Sequence, residues 1–219
     1  MSLSELWSLY GQNYIDALLA TWGMTLESFA IAMVLAVAVT VARVSPLKPL
    51  RVFGDLYVQV FRNIPGIALL IIVVYALPPL KVVLPYRTCV IVATVLLGSA
   101  FGSENFMSGI NTVGVGQVEA ARSLGMSFSR ILAKIVIPQA LRSSVLPMTN
   151  LFIAVMLTTA LGSQVPLQPQ ELTGVVSYIN TRSLGGVAAF FISALGYLGT
   201  AFVVSHIGNY IDKKVRILR

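Results

Sequence analysis

The chain has 219 residues, of which 57% are hydrophobic and only 11% charged. Soluble domains carry about 25% charged residues, so this chain has too few polar groups to cover a water-facing surface, and a soluble globular domain is excluded. The net charge of +7 points to nucleic acid or to a membrane, and its distribution along the chain decides between them.

A spanning helix needs about 20 mostly apolar residues. Residues 1–20 instead alternate apolar side chains (Leu3, Leu6, Trp7, Tyr10, Tyr14, Leu18) with polar ones, which predicts an amphipathic helix in the interface with its aromatics at headgroup level. No Lys or Arg precedes Arg43, so a cleavable signal peptide is not expected. The remainder, 21–219, reads as one membrane domain. Its first span covers about 22–42, with Glu27 near the entry end and Pro46 and Pro49 after it. The second covers about 52–77 and contains Arg62 and a Pro65-Gly66 pair, which predicts a kink. The third covers about 88–107, where Gly98 and Gly102 form a GxxxG face for close helix contact. The fourth covers about 144–164 and the fifth about 186–211. The fold class is therefore all-α integral membrane, with five transmembrane helices and an N-terminal interfacial helix.

Basic loops mark the cytoplasmic side. Loop 43–51, stretch 112–142 and the C-terminal tail hold eleven basic residues: Arg43, Lys48, Arg51, Arg122, Arg130, Lys134, Arg142, Lys213, Lys214, Arg216 and Arg219. The opposite set holds three: Lys81, Arg87 and Arg182. The N-terminus is expected outside and the C-terminus in the cytoplasm. The same count explains the +7 through membrane topology, and no nucleic-acid partner is expected.

Between the third and fourth spans lies the charged stretch 116–150. Gln117 to Leu124 is a run of helix formers, Gly125 suits a left-handed C′ position, and Ser127 suits the cap of a second helix that ends at Pro138. Two short helices joined by a Gly turn make a rigid knuckle that can dock into a partner's groove. The alternative is an amphipathic connector resting on lipid.

Polar residues inside spans are functional candidates. Counting along straight helices, Arg62 and Glu104 each lie about 15 Å in from the cytoplasmic side, and their opposite signs predict an ion pair. That pair either holds two spans together or lends one member to a translocation pathway, with Asn63, Asn105 and Asn150 adding hydrogen bonds. Cys89 is the single cysteine and reads as a small buried hydrophobe. His206 reads as a helix-packing residue, and no metal site is expected.

EAARSLG (119–125) followed by IPQALRSSVLP (137–147) resembles the EAA loop of bacterial ABC importer permeases. Glu119, Ala120, Ala121, Gly125, Ile135 and Pro138 match its pattern, with Ile137 where Leu is usual. The polar amino acid branch of that family is similar over about 50–185: YVQVFRNIP (57–65), SGINTVGVGQVEAARSLG (108–125), PQALR and LPMTN (138–150), and QEL (170–172). The resemblance implies a type I ABC importer permease fold with a cytoplasmic coupling-helix loop at 112–142, in a bacterial cell membrane. It implies two ATPase subunits docked through Glu119, Ala120, Ala121, Arg122 and Gly125, a second permease chain, and an extracytoplasmic substrate-binding protein, with membrane lipid around them. ATP and Mg belong to the ATPases. This chain has no phosphate-binding loop of its own, and no cofactor or catalytic residue is expected in it. Leu157 and Thr158, Met107, and Ile64-Pro65-Gly66 depart from the branch at polar positions, which favours a paralogous heterodimer in which this chain is the passive half. The competing function is an ATP-independent secondary transporter or channel, whose mark is an inverted repeat with broken helices in both halves.

Overall fold

The computed structural model describes residues 2–182 and 186–215. Arg216 and Arg219 of the basic tail lie outside the described residues. All regular elements within them are helical.

Helix α1 runs Leu3–Val44 without a break. Its 42 residues span about 63 Å, roughly twice the thickness of a bilayer's hydrocarbon core. Ser2 and Glu5 form a capping box at its start: the Glu5 amide donates to Ser2 Oγ, and the Ser2 amide donates to Glu5 Oε2 at 2.8 Å. The sequence predicts a separate interfacial helix up to residue 20, but no boundary exists there. No proline interrupts the run, and the buried positions Leu6, Tyr14, Ala17, Thr21, Met24, Ser28, Ala32, Ala36 and Val39 recur at three- or four-residue steps or their multiples. They form one stripe with two partners. Leu6, Tyr14 and Ala17 pack with Leu172, Val175, Ile179 and Ala189, and the Tyr14 hydroxyl donates to the Ala189 carbonyl at 2.9 Å. Trp7 stays outward, 54% exposed.

Helix α2 (Lys48–Asn63) and the following segment (Gly66–Leu80) meet at 103°. Ile64 and Pro65 both take extended backbone. Proline disfavours helical geometry in the residue before it and has no N–H to continue the ladder. Beyond the bend, α3 (Gly66–Ile71) passes through a π turn (Ile72–Ala76) and a 3-10 turn (Pro78–Leu80). The predicted kink is therefore a corner, and it begins just past Arg62.

Helix α4 (Tyr86–Asn111) is the central element. Of its apolar stretch 61% is buried, against 17% for the last helix, which faces outward. A Cβ on Gly102 would stand 2.9 Å from Ala36 Cβ, so the Gly98/Gly102 face lets α4 approach α1 closely, as the GxxxG spacing predicts. Cys89 is buried among Met24, Leu69, Leu70, Val73 and Val90.

The loop helices α5 (Val115–Ser123), α6 (Phe128–Ile131) and α7 (Ile137–Ser143) follow. Then come α8 (Val145–Thr158), prolonged by a 3-10 turn to Gln164, and α9 (Leu172–Asn180). Last is α10 (Gly186–Val215). Four described helices are long and apolar enough to cross a membrane, or five if the bent pair forms one span, against the five spans expected. Helix α9 was not predicted; it lies between the fourth and fifth expected spans. Its first turn is held by Glu171, whose carboxylate accepts the Thr173 and Gly174 amides.

Candidate functional site

Two features stand out, a protruding loop and an open groove with several polar residues in its wall. The loop begins at α5, which ends in a Schellman turn. The Met126 amide donates to the Ala121 carbonyl at 3.1 Å and the Gly125 amide to the Arg122 carbonyl at 2.9 Å. Gly125 has φ +73°, a conformation that costs any L side chain about 1–2 kcal/mol, so the turn requires it. Ser127 occupies the cap position of α6 with extended backbone but makes no side-chain capping bond. Pro138 does not end the second helix. The chain widens into a π turn, Leu132–Val136, and continues as α7. The wider turn accommodates a residue that lacks an N–H and whose ring would otherwise strike the preceding turn.

The loop carries its own small core of Val113, Ala121, Ile131 and Val136. Ala121 is 3% exposed, so its small size serves packing inside the loop. Glu119, Ala120 and Arg122 are exposed. Beside them Val115 and Leu124 are 72% and 82% exposed, and Phe128 also faces outward. The loop thus presents a polar and apolar surface on a stiff base. Gln139 Nε2 ties α7 back to α5 by donating to Gln117 Oε1 at 2.7 Å.

The groove has a volume of about 1000 Å³ and is lined by the α2–α3 corner, α4 and α8. Arg62, Asn105 and Asn150 lie in its wall, with Thr94, Thr158 and Gln164. Arg62 Nη1 lies 2.9 Å from Glu104 Oε2, and its guanidinium sits 5.4 Å from the Phe101 ring centre. Asn105 Nδ2 donates to the Pro147 carbonyl at 3.1 Å, bridging α4 and α8. Asn63 is apart from the groove, and its amide donates to the Gln59 carbonyl. Thr94 Oγ1 is buried without a hydrogen-bond partner, the one such oxygen among the described residues that lies in the groove wall.

The Arg62–Glu104 pair belongs to a larger network. Arg43 Nη1 also reaches Glu104 Oε2, at 3.5 Å, and Arg43 Nε reaches Asp55 at 2.9 Å. Arg43 donates further to Ser103 Oγ at 3.2 Å. Sequence reasoning counted Arg43 only as a topogenic charge and missed this role. The available signal was Asp55, the one acid in the 48–63 helix. A separate pair, Arg87 Nη2 to Glu27 Oε1 at 2.6 Å, links α4 to α1.

Glu171 is fully buried. Beyond its two amide donors it accepts from the Tyr197 hydroxyl at 3.1 Å. Burial pushes its carboxyl above the ordinary carboxylate range, and the hydrogen bonds only partly offset this. Among the described residues no cluster of His, Cys, Asp and Glu is placed to hold a metal.

Residues 28–217 match the family model of the binding-protein-dependent transport system inner membrane component. The chain is 31% identical over 215 residues to the L-cystine transport system permease protein TcyB of Bacillus subtilis, covering 95% of this chain and 91% of that one. It is 32% identical over 208 residues to the glutamate transport system permease protein GluC of Corynebacterium efficiens, with 90% and 91% covered. In fold it superposes on a chain of an amino acid ABC transporter crystallised with histidines, with TM-score 0.91 at 23% identity over 98% of this chain and 99% of that one. The inward-facing MetNI methionine transporter gives 0.74 at 19% identity, over 99% and 100%. The membrane-length helices, the EAA loop and these matches agree: the chain belongs to the inner-membrane components of binding-protein-dependent transport systems, the permease subunits of ABC importers.

Proposed function

We propose that this chain is the membrane subunit of an ATP-driven importer of polar amino acids, coupled to its ATPases through residues 112–142. The observation that carries the coupling is the α5–Gly125–α6 knuckle. It exposes Glu119, Ala120, Arg122 and Leu124 while its own core holds it stiff. A surface that is both exposed and braced can take up a push from a partner and pass it on, and mixed polar and apolar side chains suit a helix-in-groove contact. In this reading the ATPases supply ATP and Mg. A second permease chain faces the groove beside Arg62 and Asn150, and an extracytoplasmic binding protein delivers cargo. The basic side, with the C-terminus, is cytoplasmic and the N-terminus is outside.

The amino acid class rests on the relatives, whose names specify L-cystine and glutamate transport. In this chain Arg62 is already neutralised by Glu104, and Leu157 and Thr158 replace polar family positions. Both facts favour a heterodimer in which the partner chain makes the main cargo contacts. The test is uptake by vesicles containing the full complex. Glu119→Lys is expected to abolish cargo-stimulated ATP hydrolysis and uptake while the complex still assembles and this chain keeps its helical content. Unchanged uptake refutes the coupling role, and flux without ATP refutes the importer reading. A complex purified with two copies of this chain and no other permease refutes the heterodimer.

A further inference from the structure

A second groove, of about 380 Å³, lies between α1, α4, α8 and α10 on another face of the bundle. Phe29, Phe106, Met148, Phe152, Val204 and Ile207 are among its walls. Its two hydroxyl-bearing residues are spent on their own helices. Ser144 Oγ donates to the Ala140 carbonyl at 2.7 Å and Thr149 Oγ1 to the Val145 carbonyl at 2.9 Å. Nothing polar in the groove is left to recognise a polar guest. The groove also opens beside α10, the least enclosed of the long helices, whose Leu198 and Phe202 are 66% and 72% exposed. It is continuous with a surface suited to lipid.

One end of this groove is basic. Leu141 and Ile211 close it, and α7 packs against α10 there. Arg142 follows Leu141 and lies three residues before Val145, another lining residue. Lys214 lies three residues past Ile211, one turn on along the Val204–Ile207–Ile211 stripe. Both are exposed, as is Lys213, and Asp212, the acid of that turn, is buried. An apolar slot ending in exposed cations matches an acyl chain joined to an anionic phosphate.

We propose that this groove holds an acyl chain of an anionic phospholipid whose phosphate rests on Arg142 and Lys214. The proposal is independent of the cargo and of the ATPase contact. The test uses the whole transporter complex purified in detergent, supplied with equal amounts of dioleoyl phosphatidylglycerol and dioleoyl phosphatidylcholine. Retained lipids are counted by native mass spectrometry. Two cations at a membrane surface favour the anionic lipid by about 30-fold. Arg142→Gln together with Lys214→Gln is expected to reduce that preference to about threefold or less. Ile207→Trp, at a half-exposed groove position, is expected to reduce retention of phosphatidylglycerol although both cations remain. Inorganic phosphate, which has no chain for the slot, is not expected to displace the lipid. Equal retention of the two lipids, a preference unchanged in the double variant, or retention of phosphatidylglycerol unchanged in Ile207→Trp overturns the proposal. So does photocrosslinking of a second permease chain by a benzophenone carried on Ile207→Cys, which would show that protein fills the groove.

Discussion

Replacing Gly109 with alanine tests how firmly the loop's exit helix is held against α4. A Cβ at this position would stand 2.7 Å from the Ala140 carbonyl oxygen and collide with Ser144 Oγ. The hydroxyl can turn aside only by losing its bond to that same carbonyl, and the carbonyl belongs to the α7 backbone. The helices must therefore separate, and overpacking of this kind costs about 1–3 kcal/mol. Gly116 is the internal control. It lies within α5 and is exposed, and a Cβ there would meet no atom within 4 Å. Alanine there gains helix propensity, about 0.5–1 kcal/mol. The two substitutions are chemically identical and fewer than ten residues apart, yet their effects have opposite signs and should differ by at least about 1.5 kcal/mol. Unfolding of the purified chain by titration with dodecyl sulfate, followed by circular dichroism, measures the difference. If both variants shift the midpoint alike, α4 and α7 are not in close contact and the stiffness argued for the loop fails.

Three further outcomes are expected. In a double-mutant cycle of Arg62→Gln and Glu104→Gln, the coupling should be small, about 0.2–1 kcal/mol, because both side chains are more than a third exposed. Arg43→Gln should cost more, about 1.5–3 kcal/mol by the same denaturant titration, since it removes charged hydrogen bonds from a side chain only 12% exposed. Glu171→Ala should destabilise by about 1–2 kcal/mol through loss of the α9 cap, whereas Glu171→Gln keeps an acceptor and avoids burying a charge. Folding raises the Glu171 pKa, so its stabilising contribution is full below the ordinary carboxylate range and declines as pH rises through the folded value. Relative to the native chain, Glu171→Gln should therefore become more stable as pH rises above the ordinary carboxylate range, and a gap that narrows with pH contradicts the burial argument.

The parts of the fold legible in the sequence were those set by local chemistry. Apolar runs located the spans, Pro65-Gly66 located the corner, and Gly125 located the Schellman turn. The parts that were not legible depend on what packs against what. Residues 1–20 carry an amphipathic pattern whether they lie on lipid or on α9 and α10, and only the structure shows that Leu6 and Tyr14 meet Leu172 and Ala189. Helix α9 was obscured because Gly174 and paired valines are weak helix formers and glutamate is an uncommon N-cap. Tertiary burial of Val175 and Ile179 overrides that preference. Pro138 misled in the opposite direction, since a π turn can carry a helix through a proline. At the candidate site, Arg62 and Glu104 were paired by sign and position, and they lie 2.9 Å apart just before the 103° corner. They meet because α2 folds back toward α4, where the Tyr57 hydroxyl also lies 2.7 Å from Ser99 Oγ.

The roles proposed for the loop and the groove fit how each is braced. A coupling element must resist deformation, because a soft loop absorbs a push instead of transmitting it. Here resistance comes from several independent sources: the Gly125 turn, the Ala121 core, the Gln117–Gln139 bond and the close approach at Gly109. A pathway must instead be able to rearrange. The wall of the groove proposed as that pathway holds a proline corner, a buried Thr94 hydroxyl with no partner and Arg62, partly exposed in its pair with Glu104, each of which is inexpensive to alter. The Arg43–Glu104–Arg62 network lies where the two meet, joining the end of α1 to the corner of α2 through α4. On the proposed reading, motion of the loop would reach the groove through α4, because α7 is pressed against that helix at Gly109 and the carboxylate at Glu104 is carried on it. Stiffening the groove should therefore impair transport without touching the loop, whereas loosening Gly109 should impair it without touching the groove.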